Sequence, residues 1–77
     1  MNPDDIIAKI RIALPDAQVK LEDLTGTKDH WKAEIIASGF AGLSLIARHR
    51  IVNLALAAEL KGPIHAFTMD VKTPSEI

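Results

Sequence analysis

Cysteine is absent from the 77 residues. No disulfide framework therefore supports the chain, and no thiolate of its own can act as a nucleophile or a metal ligand. Tyrosine is missing too, and the aromatics are limited to Trp31, Phe40 and Phe67. That is too few for a base-stacking platform. Neither sign of charge dominates. Nine basic and ten acidic side chains leave a net charge of −1, which speaks against a polybasic nucleic-acid binder. No apolar run approaches the ~18 residues that read as a membrane span, so no membrane role is expected. No basic segment followed by an apolar stretch opens the sequence, so a cytoplasmic location without a cleaved signal peptide is expected. What is present is ordinary for a globular domain: 48% hydrophobic and 25% charged residues. The length suits one domain over residues 1–77. A core of this size contributes only ~3–5 kcal/mol, so single interactions weigh heavily.

The pattern along the chain predicts helix, strand, strand, helical segment, strand. Asn2-Pro3-Asp4-Asp5 is a helix start, with a capping Asn, a Pro at the first helical position and two carboxylates at the positive end of the dipole. Ile6, Ile7, Ile10, Ala13 and Leu14 follow at helical spacing, and Pro15-Asp16 ends the run. Val19 and Leu21 alternate with Lys20 and Glu22. After the loop Thr25–Asp29, Trp31, Ala33, Ile35 and Ala37 alternate with Lys32, Glu34 and Ile36. Two strands of a hairpin are expected there. Ser38–Gly42 is a breaker with Phe40 as a core anchor. Ser44–Leu60 is helical and apolar nearly all round, interrupted by Arg48-His49-Arg50. One long helix fits, as do two short ones jointed at that triplet. Gly62-Pro63 stops it, and Ile64–Lys72 alternates as a third strand. Thr73-Pro74-Ser75-Glu76 has the form of a capping box. Each strand has one apolar and one charged face, as in an α+β fold with a small sheet and all helices on one side. Buried positions are expected at Ile10, Leu14, Trp31, Ile35, Val52, Leu56, Phe67, Met69 and Val71. Lys20, Glu22, Lys32 and Glu34 are expected on the wet face.

Few side chains can carry chemistry. His65 opens the third strand on the face of Phe67 and Met69. It reads either as a core-edge histidine bonded to a carbonyl, or as a half-buried neutral imidazole with a nitrogen free for metal. His30, at the junction of loop and second strand, reads as a surface histidine or as a second ligand. His49, flanked by two arginines that disfavour a nearby metal ion, reads as structural. Arg48 and Arg50 could hold carboxylates of a partner or of glutathione, or face solvent with intramolecular pairs to Glu or Asp. Gly39-Phe40-Ala41-Gly42 spells a G-x-x-G clamp but stands after a strand rather than between two helices. No nucleophile–base arrangement or carboxylate pair stands out, so an enzyme is not expected.

Phe40-Ala41-Gly42, Arg48-His49-Arg50-Ile51-Val52-Asn53, Glu59-Leu60, Ile64-His65-Ala66 and Thr73-Pro74-Ser75-Glu76 together resemble the BolA family along essentially the whole chain. Ile77 stands where the family usually has an aromatic residue. The resemblance implies a class II KH-like αββααβ fold, a three-stranded mixed sheet with helices packed on one face, and it favours two helices in 44–60. It implies a non-enzymatic partner of a monothiol glutaredoxin. A [2Fe-2S] cluster would be shared with glutaredoxin and glutathione, with His65 as the recurrent ligand and His30 as a plausible second. Many members carry a Cys or an additional His in the loop that is Thr25–Asp29 here, so ligation by a loop thiol is excluded. No cofactor is expected on the isolated protein, because two histidines without a third donor leave coordination positions open. Some members are described as transcriptional regulators. The alternative reading is therefore a DNA-binding regulator using 44–60 as a helix-turn-helix-like unit with Arg48, Arg50 and Asn53. Its DNA affinity would be weak, since that segment otherwise offers mostly Ala and Leu. A homodimer through these apolar helices is a third reading.

Overall fold

The computed structural model describes residues 2–28, 30–62, 64 and 66–77. Helix α1 spans Pro3–Ala13, and the Asn2 side chain caps it by accepting the Asp4 backbone N–H at 2.9 Å. Strands β1 (Gln18–Asp23) and β2 (His30–Ile36) pair antiparallel, with Val19 opposite Ile35 and Leu21 opposite Ala33. A 3-10 turn, Ser38–Phe40, leads into α2 (Leu45–Ala55), which the Ser44 hydroxyl caps by accepting the Ala47 N–H at 3.2 Å. Gly42, at φ 76°, supplies the left-handed step between the two. The short helix α3 (Ala57–Leu60) follows, and β3 (Ala66–Lys72) returns parallel to β2. The sheet order is β1-β2-β3. It is thus a mixed three-stranded sheet in an α+β fold.

Register carries the pattern expected of the strands into three dimensions. Trp31, Ala33 and Ile35 of β2 are buried, and Lys32 and Glu34 between them are exposed. Lys20 and Glu22 of β1 are exposed as well. The covered face meets Ile6, Ile10 and Leu14 on one side of the core and Val52 and Leu56 on the other, with Phe40 fully buried among them. At ~1.5–3 kcal/mol for each large apolar side chain removed from water, this cluster is the main stabilising term. No described helix is long and apolar enough to cross a membrane.

Four expectations need correction. The helical segment does not break at Arg48-His49-Arg50. The triplet lies inside α2, and the joint falls at Leu56, whose backbone leaves helical geometry at φ −108°, ψ 17°. A charged triplet costs a helix nothing when one of its members turns inward and finds acceptors, as Arg48 does. Phe67 and Met69 are only partly buried, whereas Val71 on the same face of β3, where Arg48 of α2 reaches it, is buried. His49 is exposed, so it has no structural role in a joint. Arg48 is buried rather than offered to solvent.

Candidate functional site

Two places in the fold gather the singled-out side chains. The first is the β1–β2 loop. Asp23, the last residue of β1, accepts backbone N–H groups from Thr25 (3.4 Å), Gly26 (3.0 Å) and Lys28 (3.0 Å) on its carboxylate. An Asp does this well because its short side chain can imitate a backbone turn. Gly26 and Lys28 take left-handed φ of 77° and 61° to aim those N–H groups inward. The Lys28 carbonyl then accepts the indole N–H of buried Trp31 at 3.1 Å. The Leu24 N–H donates to the His30 carbonyl at 2.9 Å. The loop is thus tied down at both ends and delivers His30 as the first residue of β2, half-buried and in register with Ala66. Ala66 directly follows His65 in the sequence; His65 itself lies outside the described residues.

Among the described residues no three His, Asp or Glu side chains converge on a metal-sized site. A [2Fe-2S] cluster takes four protein donors, predominantly thiolates, and this chain has no thiolate to give. The donor set therefore fits only a minority share of such a cluster, an imidazole or two against thiolates brought by a partner.

The second place is the inward side of α2. Arg48 occupies the same helical stripe as Val52 and Leu56, four and eight residues on, and that spacing drives it into the core. Its guanidinium finds acceptors all round. Nε donates to the Leu43 carbonyl (3.0 Å) and Nη1 to the Val71 carbonyl (3.3 Å). Nη1 and Nη2 also grip the Glu76 carboxylate at 2.7 and 3.3 Å. The cation lies 5.9 Å from the centre of the Phe40 ring. Glu76 is oriented by its own capping box, since its Oε1 also accepts the Thr73 N–H at 2.7 Å. The Arg48 bond first, and the Thr73 N–H after it, hold the Glu76 carboxyl at about 2, far below its ordinary 4.5. Asp16 is lowered by a similar device, accepting the hydroxyl and then the backbone N–H of Ser38. Of the residues assigned to a partner or to DNA, only Arg50 and Asn53 face outward.

Two functional-looking pairs escaped the sequence. Glu76 was legible as a cap but not as the counter-ion of Arg48, although an arginine on an apolar stripe signals a buried partner. Glu59 of α3 is buried and takes the Lys9 ammonium of α1 at 3.0 Å on one oxygen, while the other finds no donor among the described residues. The Glu59-Leu60 pair gave no hint of this.

With that geometry in place, comparison with known proteins is informative. The family model described as BolA-like protein matches residues 11–76. BolA-like protein 1 of Homo sapiens is 43% identical over 51 residues, covering 66% of this chain and 37% of that protein. The DNA-binding transcriptional regulator BolA of Vibrio cholerae is 43% identical over 51 residues, covering 66% of this chain and 48% of that protein. The matches thus span less than half the length of these two curated relatives. Among solved structures, BolA1 from Arabidopsis thaliana superposes with a TM-score of 0.87 at 31% identity, over 96% of this chain and 93% of that one.

Proposed function

The chain belongs to the BolA-like family, and from that premise we propose that it is a non-enzymatic adaptor which binds a monothiol glutaredoxin and helps to hold a shared [2Fe-2S] cluster. The observation that carries the reading is the sheet end where the clamped loop delivers His30 opposite Ala66, the neighbour of His65 in sequence, in a chain without cysteine. An imidazole offered there by His30, with His65 next to Ala66 in the sequence, suits a site whose thiolates come from glutaredoxin and glutathione. Exchanging thiolate for imidazole on one iron raises the reduction potential of such a cluster. Only a neutral ring can ligate, so acidification that protonates the ligand releases it. Arg50 is the guanidinium left to meet a partner carboxylate, because Arg48 is occupied by Glu76.

The test is a titration of this protein into cluster-loaded monothiol glutaredoxin, followed by the visible spectrum. The wild type changes the spectrum. His65→Ala abolishes the change while the far-UV circular dichroism stays native, His30→Ala weakens it, and His49→Ala, on an exposed helix face, leaves it alone. A wild-type spectrum from the His30→Ala/His65→Ala double variant sinks the proposal.

A second reading, DNA binding through 44–60, draws on the name of the Vibrio relative. It has less to work with here. Arg48 is turned inward, and α3 is only four residues long with its Glu59 buried. Arg50 and Asn53 are left as the outward polar contacts among those assigned to DNA.

A further inference from the structure

Helix α2 has an outward face of which the reading above uses only Arg50. Leu45, Ile46 and Leu54 are 64%, 72% and 72% exposed, and His49, Arg50 and Asn53 between them are exposed too. Ile46, Arg50 and Leu54, four residues apart, form a stripe on the side of the helix away from Arg48, Val52 and Leu56, with Asn53 beside it and Leu45 and His49 on its flank. Large apolar side chains stand at both ends of the face and the cation stands at its middle. Along this stretch of sequence the charge is one-sided. The chain has ten acidic residues, yet none between Glu34 and Glu59. Arg48 and Arg50 are the only cations in that interval. Glu76 neutralises Arg48, so Arg50 is the net charge of the face. Among the described residues none pairs with it.

A second copy of this chain is a poor occupant. In a two-fold dimer the centre of a patch meets itself, which would set Arg50 against Arg50 with His49 beside it. Like charges at the centre of an interface are a strong penalty. Nucleic acid is a poor occupant as well, since phosphates call for several cations rather than one cation between leucines. The geometry points to α2 as a docking face for an amphipathic helix of a partner protein, with apolar side chains in its outer turns and a carboxylate at its centre opposite Arg50. The N-terminal half of the face also lies away from the end that carries His30. Arg48 in the first half of α2 reaches Val71, near the far end of β3 from Ala66, which pairs with His30. The inference rests on α2 alone and stands whether or not a cluster is bound.

The test uses the isolated protein and two helix-constrained peptides. Both carry leucines in their first and last turns on one face; one has glutamate between them and its twin has lysine. Amide chemical-shift titration is expected to place the glutamate peptide on residues 45–54, at least tenfold tighter than the lysine twin. Arg50→Glu is expected to reverse that preference, and Leu54→Glu to weaken both peptides. All substituted positions are exposed, and circular dichroism checks that the variants fold. Three results overturn the inference: equal affinity for the two peptides, shifts along α2 that grow with protein concentration alone, or the same shifts produced more tightly by a DNA duplex.

Discussion

Arg48→Met is the substitution that most directly tests how the core is built. Methionine keeps much of the apolar stem and removes the guanidinium. Lost with it are two charge-assisted bonds to the Leu43 and Val71 carbonyls, worth about 1.5 kcal/mol each at the low end of their range. The contact over Phe40, near the outer limit for such pairs at 5.9 Å, adds about 0.5 kcal/mol. The half-exposed Glu76 carboxylate regains water, so nothing is assigned to that bond. Relief from holding a cation in the core offsets part of the loss. The expected cost is about 3 kcal/mol, against a total of about 4–12 kcal/mol for a domain of this length. The melting temperature should fall by roughly 12–24 °C. Arg50→Met, two residues along and exposed, should stay within about 0.5 kcal/mol of wild type. Urea unfolding followed by the fluorescence of buried Trp31 gives both numbers from one probe. If the two variants share a midpoint, the inward guanidinium contributes nothing net and the reasoning fails.

Acid sensitivity follows from Glu76 and Asp16. Both carboxyls are lowered in the folded protein, so the unfolded chain binds more protons and stability rises with pH. For Glu76 the contribution is full above 4.5 and is lost as pH falls toward about 2. Urea midpoints at a series of pH values should show this loss, and Glu76→Gln should flatten it; an unchanged slope in that variant rules the carboxylate out as its source. At the α1–α3 contact, Glu59→Met removes a buried carboxylate with one unsatisfied oxygen and is expected to be neutral or stabilising by about 1 kcal/mol. Lys9→Met, which strands that carboxylate, is expected to destabilise. Thermal melts of the pair decide, and the opposite order contradicts the assignment.

The strands were legible because one face of the sheet is dry and the other wet. A slip of one residue would have buried Lys32 and Glu34, so the alternation around Trp31 and Ile35 could be read without structure. The caps at Asn2, Ser44 and Thr73 act over a few residues, and of these Asn2 and Thr73 were equally plain. Arg48 was misread because charge suggested solvent while helical spacing placed it beside Val52 and Leu56, and spacing prevailed once Leu43, Val71 and Glu76 could satisfy the guanidinium. The joint at Leu56 carries no glycine or proline, so local sequence gives no signal there. Phe67 and Met69 share the parity of Val71, but parity does not reveal how far along β3 the covering helices reach. In the candidate site, His30 was placed at its junction correctly. The clamp that holds it could not be seen in advance, because it depends on backbone N–H groups and two left-handed residues.

The clasp between Arg48 and Glu76 has a consequence for how the chain comes into being on the ribosome. Twenty-eight residues separate the two partners. At about 5–20 residues per second, synthesis needs roughly 1–6 seconds to cover that distance. From Ala55 onward α2 has been made in full, and throughout the interval its arginine lacks the Glu76 counter-ion. The Val71 carbonyl that also receives it has not been made for most of that time. The β1–β2 hairpin and α1 can gather early, but α2 cannot seat its inward face on them without burying a bare cation. Final docking of α2 is therefore deferred until β3 and the Thr73–Glu76 turn have emerged, which makes closure of the core a late, all-at-once event in the life of the nascent chain.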